Sequence, residues 1–387
     1  MKKLVVFLLV LALSFSLFAG DVHFVFGDIK QHSDILAGFI PSYALLGVGY
    51  YLPPIIEGNT TDLRLLVGEG YTQRLLWLDE DSGENNFDNG VWDKSSALRV
   101  NVWDNEVSLR FLQGFFRSNV GDKDLLTLTL SLNGRYERYY SSSKFLFMNI
   151  KGNLDSIIAE DYSGAIYPEL NGRKDFLGLE FGANLKLDMM EDTLHTNNGL
   201  LVKLDFKFGP SALNNLASGH AQYFALTLNA VGAKTLLNVT NESGDSMFSV
   251  TVADRAYASY ASGDAVPSFV SGPVSLGRNV RGFNTYTYAT EFSVVNNFDV
   301  RLAGPDVGIN KVAPRVNFFV DCGYGWGKVF NTSRYEKNFL ASCGVQATVS
   351  FFDFIDLGYE VNYILVDRNK YTQPGKVTTN VTFFLDF

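Results

Sequence analysis

Strict alternation of apolar and polar residues is the dominant pattern along this chain. Between residues 126 and 139, every second position from Leu126 to Leu132 is leucine, whereas the intervening positions carry Thr, Ser and Asn, then Arg135 and Glu137. Successive side chains of a β-strand point to opposite faces. The pattern therefore predicts a strand with one apolar face and one polar face.

Residues 200–208 repeat the alternation with charged side chains. Lys203, Asp205 and Lys207 share one face of the predicted strand, and the other face is apolar. On an α-helix the same three residues would be spread around the axis, which excludes an amphipathic helix. Because a Lys or Arg facing lipid at mid-membrane costs about 2–4 kcal/mol, the charged face is predicted to line a wet lumen.

Fourteen segments of this kind follow one another, and two weaker ones at 22–27 and 145–151 raise the count to 16. The fourteen are 38–51, 63–78, 97–103, 105–116, 124–140, 176–190, 199–209, 221–236, 246–261, 285–298, 315–327, 338–351, 356–367 and 377–387. Asp104 and Asn105 resemble a tight hairpin turn between two of them, since both residue types tolerate positive φ. Bacterial barrels have even strand numbers. We therefore expect an all-β chain that forms a single transmembrane antiparallel β-barrel of 16 strands, with 14 as the alternative.

The first 20 residues are typical of a secretion signal. Lys2 and Lys3 precede an apolar run over 4–18, and small residues follow at the expected cleavage site. An uncleaved helical anchor is the alternative, although the run is short for a bilayer span. We expect residues 21–387 to form one barrel in the outer membrane of a double-membraned bacterium.

Composition narrows the class of protein further. Aromatic residues make up 14% of the chain and charged residues only 19%, which suits the aromatic girdles and lipid-facing surface of a membrane barrel. A soluble β-sandwich or solenoid is the alternative. The formal charge of −9 becomes −11 when Lys2 and Lys3 are removed, and this acidic balance argues against a nucleic-acid partner.

Five stretches in the second half of the chain carry a resemblance to a known family. They are an Asp-rich turn over 187–199, a Pro-Phe approach over 258–269, the tetrapeptide Val-Arg-Gly-Phe at 280–283, an aromatic strand over 318–323, and the closing strand. In this order they resemble the barrel of the BamA/TamA superfamily, the bacterial surface antigen family. The resemblance implies a role in insertion or translocation of proteins, or of lipids, by opening of the seam between the first and last strands.

The resemblance also implies that the 262–285 loop folds into the lumen as a lid. Its hallmark residues are Val280, Arg281, Gly282 and Phe283. Arg281 is expected to pair with Asp321 and Glu291 on the barrel wall, with Phe319 beside its guanidinium group, whose rigid fork suits a carboxylate. The alternative is that Arg281 is an ordinary exposed loop residue.

The C-terminal strand resembles the insertion signal of outer-membrane barrels. Phe383, Leu385 and the terminal Phe387 occupy every second position, with Phe384 and Asp386 between them. Outer-membrane lipids, client membrane proteins and a separate periplasmic partner are the partners that the resemblance implies. The periplasmic partner is needed because we expect a barrel alone, without the POTRA domains of well-characterised relatives.

No catalytic or metal-binding constellation is evident from the sequence. The histidines His23, His32, His195 and His220 have no obvious Ser or Asp partner, and the G-x-S-x-G motif is absent. The acidic run over 79–89 lacks EF-hand spacing, so a solvated loop is favoured over a calcium site. We expect no enzymatic activity, cofactor or metal. A passive porin or a structural surface barrel is the alternative function.

Two cysteines, Cys322 and Cys343, fall on neighbouring predicted strands and by alternation face the lipid. We expect two free, buried thiols. A cross-strand disulfide is the alternative if the two registers match.

Overall fold

The fold is seen in a computed structural model, which describes the chain in separate ranges. They are residues 22–31, 41–77, 87–88, 91–92, 97–117, 123–141, 169, 174–193, 195–214, 221–283, 288–305, 312–331, 333, 335–351, 355–367 and 374–385. The expected signal segment 1–20, the candidate strand 145–151, the acidic run 79–89 apart from residues 87–88, and Phe387 lie outside these ranges.

Strands dominate the described residues, with three short helices. The strands are β1 (Val22–Gln31), β2 (Pro41–Tyr51), β3 (Thr61–Trp77), β4 (Phe87–Asp88), β5 (Val91–Trp92), β6 (Ala97–Arg117), β7 (Asp124–Ser141), β8 (Asp175–Asp188), β9 (Glu191–Asp192), β10 (Asn197–Gly209), β11 (Gln222–Thr240), β12 (Ser246–Ala265), β13 (Thr290–Ala303), β14 (Val312–Val329), β15 (Tyr335–Phe351), β16 (Ile355–Asp367) and β17 (Val377–Leu385). The helices are α1 (Ser211–Asn214), α2 (Ser268–Val274) and α3 (Leu276–Asn279).

The long strands form one antiparallel meander. Apart from the short β4, β5 and β9, each strand pairs with the next along the chain, from β1 to β17. Fourteen strands lie on this path within the described residues, which is the alternative count and not the favoured 16. In the same residues no pairing joins β1 to β17.

The predicted hairpin turn at Asp104 and Asn105 is wrong. β6 runs through both residues, and Asp104 lies opposite Gly70 of β3 and Glu137 of β7. The alternation of β6 continues across this point, so two complete ladders outweigh a local turn preference. The two segments 97–103 and 105–116 are therefore one strand, while the weak candidate at 22–27 lies within β1.

The predicted polar face does look inward. Glu137 is fully buried in the lumen, whereas Leu130 and Leu132 on the opposite face of β7 are exposed. Every long strand contributes an exposed apolar residue to the outer face. These include Phe24, Leu46, Tyr71, Leu109, Leu130, Phe181, Leu204, Leu228, Phe248, Val294, Phe318, Val345, Tyr359 and Val377. A polar inside and an apolar outside are the reverse of a soluble β-protein and identify a membrane barrel.

A row of aromatic rings crosses the outer face from β10 to β14. Phe206 contacts Phe224 at 5.2 Å between ring centroids, Phe224 contacts Tyr260 at 5.8 Å, Tyr260 stacks on Phe292 at 4.4 Å, and Phe292 stacks on Trp326 at 5.1 Å. Such a row is the aromatic girdle expected at a membrane interface. Among the described residues no helix is long and apolar enough to cross a membrane, a finding that has no bearing on spans made of strands.

A polar pair interrupts the apolar outer face at mid-strand. Asn296 Nδ2 donates to Asp254 Oδ1 at 2.8 Å, and both residues are exposed. Asp254 lies six residues from Tyr260 of the aromatic row on β12, and Asn296 lies four residues from Phe292 of the same row on β13. The pair therefore belongs to the lipid-facing band. The sequence rule that charges face the lumen thus has an exception here.

The two cysteines are free and do not match in register. Cys322 lies opposite Ala341, and Cys343 lies opposite Val320, so the thiols are offset by two residues along the ladder. Cys322 is exposed and Cys343 is half-buried, so the expectation of buried thiols is wrong. Both point to the outer face, where lipid and not protein surrounds them.

Candidate functional site

The connection from β12 to β13 enters the space that the sheet encloses. Residues 266–283, named the luminal segment here, contain α2 and α3. The backbone N–H of Ser268 donates to Glu169 Oε1 at 3.0 Å, and Arg135 of β7 lies 4.6 Å above the ring of Phe269. At its other end, the carbonyl of Gly282 accepts from Thr378 Oγ1 of β17 at 3.2 Å.

Two apolar clusters hold the luminal segment against the wall. In the first, Val270 and Val274 pack with Phe176 and Tyr223 of β8 and β11. In the second, Leu276 and Val280 pack with wall residues of β12, β13 and β15. Gly323 of β14 makes room for them, since a Cβ there would lie 2.7 Å from Leu276 and 2.9 Å from Val280.

The segment therefore contacts strands from β7 round to β17. A sheet whose strands meet one central segment from so many directions must curl around it. This geometry confirms a barrel with a loop folded into the lumen, and the segment occupies the core of that lumen.

Arg281 lies at the centre of the site and binds two carboxylates. Its Nε donates to Asp321 Oδ2 at 2.8 Å and its Nη2 donates to Asp321 Oδ1 at 2.6 Å. Its Nη1 donates to Asp299 Oδ1 at 2.8 Å. The guanidinium carbon is 3.8 Å from the ring centroid of Phe319, so the cation lies over the aromatic face.

The backbone of Arg281 is held as well. Its N–H donates to Asp321 Oδ2 at 2.9 Å, and its carbonyl accepts from Ser342 Oγ at 2.7 Å. Side chain and main chain are thus fixed by β14 and β15 together. We name Arg281, Asp321, Asp299 and Phe319 the lid anchor.

The electrostatics of the lid anchor favour a permanent charge on Arg281. Asp321 is fully buried, and the Arg281 side chain keeps 23% of its exposure. Burial disfavours the guanidinium charge, but hydrogen bonds and attraction from Asp321 and Asp299 outweigh it and raise the pKa of Arg281 above its usual value. A charged pair of this kind in a partly dry lumen is expensive to break on one side only.

Glu291 is not part of the lid anchor, contrary to the sequence expectation. Its Oε2 accepts from the backbone N–H of Lys328, near the end of β14. On β13, Asp299 lies two residues from the position that faces Asp321, whereas Glu291 lies six residues away on the other side. At about 3.4 Å per residue, six residues place Glu291 about 20 Å along the strand, beyond the reach of Arg281.

The other hallmark residues lie where the resemblance implies. Val280 is buried in the second apolar cluster, and Phe283 packs on the ring of Tyr288 at 6.2 Å. Gly282 has a φ of +91°, and a Cβ there would lie 2.9 Å from Asn362 and from Ile364. Only glycine fits this conformation and this approach to β16.

Sequence reasoning missed the contacts that hold α3. Arg255 Nη2 donates to Asn279 Oδ1 at 3.2 Å, and Asn297 Nδ2 donates to the carbonyl of Asn279 at 3.0 Å. Arg255 and Asn297 lie on the predicted lumen faces of β12 and β13, but only the register shows that they meet. Alternation identifies which residues face inward and not which of them are neighbours.

The C-terminal residues lie at the edge of the sheet. Phe383 and Leu385 belong to β17 and lie opposite Leu357 and Ile355 of β16. Their role as an insertion signal, together with that of Phe387, stays a prediction.

No protein-family model matches the chain, and no curated protein does either. Among solved structures, CdiB from Escherichia coli is similar at 13% identity with a TM-score of 0.46, over 89% of this chain and 53% of that one. BamA from Haemophilus ducreyi lacking POTRA domains 1–3 is similar at 12% identity with a TM-score of 0.44, over 94% of this chain and 70% of that one. CdiB from Acinetobacter baumannii is similar at 10% identity with a TM-score of 0.44, over 89% of this chain and 50% of that one.

The chain thus spans about half the length of the two CdiB structures. The sequence identities and the TM-scores of all three similarities are low. The barrel fold itself follows from the chain's own strands and from the segment that they enclose.

Proposed function

We propose that this chain is an outer-membrane barrel that takes part in inserting or translocating proteins, or lipids, at the outer membrane, with the luminal segment as its lid. The observation that carries the proposal is the lid anchor, in which Arg281 binds Asp321 through both side chain and backbone. The Val-Arg-Gly-Phe resemblance to the BamA/TamA superfamily supports the same role. Client proteins and a separate periplasmic partner belong to this proposal.

A plugged lumen favours this role over a passive pore. A porin conducts solutes through a water-filled lumen. Here Val270, Val274, Leu276 and Val280 are buried between the luminal segment and the wall. Solutes would have to displace these contacts, so an open channel is the less suitable function for this geometry.

The edges of the sheet suit a seam that opens. β1 has ten residues and β17 has nine, and the described pairing path ends at these two strands. An edge strand offers backbone N–H and C=O groups to an incoming strand, which is how a client strand could be templated. The hydrogen bond between Thr378 and Gly282 connects the lid directly to β17.

The test is an insertion assay with the purified chain in liposomes. Folding of an unfolded outer-membrane barrel is followed by its heat-modifiable gel mobility, with protein-free liposomes as the baseline. We expect the chain to accelerate folding, and Arg281→Ala to remove most of that acceleration. Arg110→Ala is the matched control, because Arg110 lies on the lumen face of β6 and its Nε donates to Ser108 outside the lid anchor.

The alternatives make different predictions in the same samples. A passive porin would give no acceleration together with a large and steady conductance. A structural surface barrel would give neither. Either pattern would refute the proposed function.

A further inference from the structure

An exposed carboxylate lies deep in the lipid-facing band of β12. Asp254 is six residues from Tyr260 of the aromatic row. Six residues span about 20 Å along a strand, or about 15 Å of depth when the strand is tilted by about 40°. The apolar band of a bacterial barrel is about 25 Å tall, so Asp254 lies near the middle of that band.

The neighbouring asparagine satisfies only one oxygen of this carboxylate. Asn296 Nδ2 donates to Asp254 Oδ1 at 2.8 Å, and no donor among the described residues reaches Oδ2. Both side chains are exposed on the outer face. A charged group in hydrocarbon is costly unless a partner neutralises it, so a single copy of the barrel bears this cost.

A cation lies close by on the neighbouring strand. Lys234 of β11 is exposed on the same outer face and lies opposite Val252, two residues along β12 from Asp254. Within the described part of the chain, the side chain of Lys234 makes no hydrogen bond and no ion pair. One outer face therefore carries an anion and a cation that are not paired with each other.

The wall beside these two charges is built from small residues. Ala230 of β11 lies opposite Ala256 of β12, and Ala256 is exposed. Gly232 lies directly opposite Asp254, and a Cβ there would meet nothing within 4 Å. Small residues let two membrane-embedded surfaces approach closely. A second wall could therefore come near enough to contact both charges.

We propose that this face binds a second copy of the chain, with a twofold axis along the membrane normal between β11 and β12. A twofold interface is self-complementary, so β12 of each copy faces β11 of the other. Asp254 of one copy then lies opposite Gly232 of the partner copy. The flexible stem of Lys234 in the partner copy brings its ammonium group to that carboxylate. Two identical ion pairs form, and their four charges sum to zero.

Charge complementarity favours a second copy over other occupants of this face. The anion and the cation belong to the same chain, and twofold pairing uses both. Lipid hydrocarbon offers no donor to Asp254. An unrelated membrane segment would have to supply a cation of its own and would leave Lys234 unmatched. The inference needs only the barrel fold and does not depend on the proposed insertion or translocation role.

The first measurement is cross-linking of the full chain in lipid vesicles with a short bis-maleimide. In a background of Cys322→Ser and Cys343→Ser, the substitution Ala256→Cys places one thiol beside the proposed axis. We expect most of this variant to become a cross-linked dimer. Leu130→Cys, on the outer face of β7, is the matched control and should stay monomeric at the same ratio of protein to lipid.

Charge reversals test the ion pairs themselves. With Ala256→Cys present, Asp254→Lys or Lys234→Asp places like charges opposite each other and should lower the yield of dimer at least fivefold. When copies with Asp254→Lys are mixed with copies with Lys234→Asp, every contact again joins opposite charges. The mixture should therefore recover the cross-link, between unlike copies that tags of different size distinguish. An ion pair within one chain would not respond to mixing.

Neutral variants keep the test decisive if a reversal prevents folding, which heat-modifiable gel mobility reveals. Asp254→Asn and Lys234→Gln should each lower the yield of dimer at least threefold. Lys337→Gln removes an exposed charge from the outer face of β15 and should leave the yield unchanged. Equal cross-linking through Ala256→Cys and Leu130→Cys, no recovery when folded reversals are mixed, or equal yields from the three neutral variants would each overturn the proposal.

Discussion

Asp321 of β14 binds Arg281 through three hydrogen bonds, two from the guanidinium group and one from the backbone N–H. The carboxylate therefore fixes the path of the luminal segment as well as the direction of one side chain. Asp299 makes a single hydrogen bond to the same arginine. Asp321 is therefore expected to contribute more than Asp299 to the stability of the lid anchor.

We expect Asp321→Asn to destabilise the barrel more than Asp299→Asn does. Loss of one member of a buried ion pair costs about 3–5 kcal/mol, and the partial exposure of Arg281 brings the expected loss at Asp321 to about 3 kcal/mol. For Asp299 we expect about 1 kcal/mol, typical of one hydrogen bond. Urea unfolding in detergent, followed by intrinsic fluorescence, measures both. Equal losses would contradict the ranking.

Gly282→Ala should displace the luminal segment. Alanine at a φ of +91° is strained by about 1–2 kcal/mol, and its Cβ would collide with Asn362 and Ile364. Limited proteolysis of the intact barrel should then cut within residues 266–283. Gly232→Ala is the control, because a Cβ at Gly232 meets nothing within 4 Å. Protection of both variants to the same degree would show that the close approach is unimportant.

The Asp254–Asn296 pair on the outer face should be dispensable for folding. A lipid-facing carboxylate is costly, and replacing both members of a hydrogen-bonded pair by apolar groups is nearly neutral or stabilising. We expect the double variant Asp254→Leu, Asn296→Leu to gain about 1 kcal/mol in unfolding free energy in lipid vesicles.

A matched pair with the opposite orientation serves as the control. Asn184 Nδ2 donates to Asp205 Oδ1 at 2.6 Å on the lumen face of β8 and β10. The double variant Asp205→Leu, Asn184→Leu exposes apolar groups to the wet lumen and should lose stability. The same response from both double variants would mean that the two faces are not lipid and water.

The cysteines should stay unlinked under oxidising conditions. Cys322 and Cys343 are offset by two residues in the ladder between β14 and β15, which places the thiols too far apart for a disulfide without backbone movement. A membrane-permeant maleimide should label the exposed Cys322 faster than Cys343. Mass spectrometry after oxidation tests this, and a Cys322–Cys343 peptide would disprove the register.

Alternation in the sequence was sufficient to predict the barrel and its two faces. Leu130 faces out and Glu137 faces in because period two is a property of one strand, independent of its neighbours. The number of strands could not be predicted as well from the sequence. Asp104 and Asn105 have turn propensity, but β3 and β7 pair continuously across them, and this pairing is a long-range interaction.

The prediction of the lid anchor was limited in the same way, by long-range strand pairing. Arg281 and Asp321 could be matched through the resemblance, since each lies in a stretch of its own with a characteristic pattern. The choice between Asp299 and Glu291 depends on how β13 and β14 are aligned, and no pattern within either strand records that alignment. The contact between Arg255 and Asn279 also depends on strand register, so it could not be predicted from the sequence.

The most direct test of the account is the single-channel conductance of the purified chain in a planar bilayer. With the luminal segment in the lumen and held by Arg281, the unaltered chain should give small, flickering currents. Deletion of residues 270–283 should raise the conductance several-fold, and Asp321→Ala should raise it in part. A large and steady conductance from the unaltered chain, unchanged by the deletion, would contradict the central claim that the luminal segment closes the barrel.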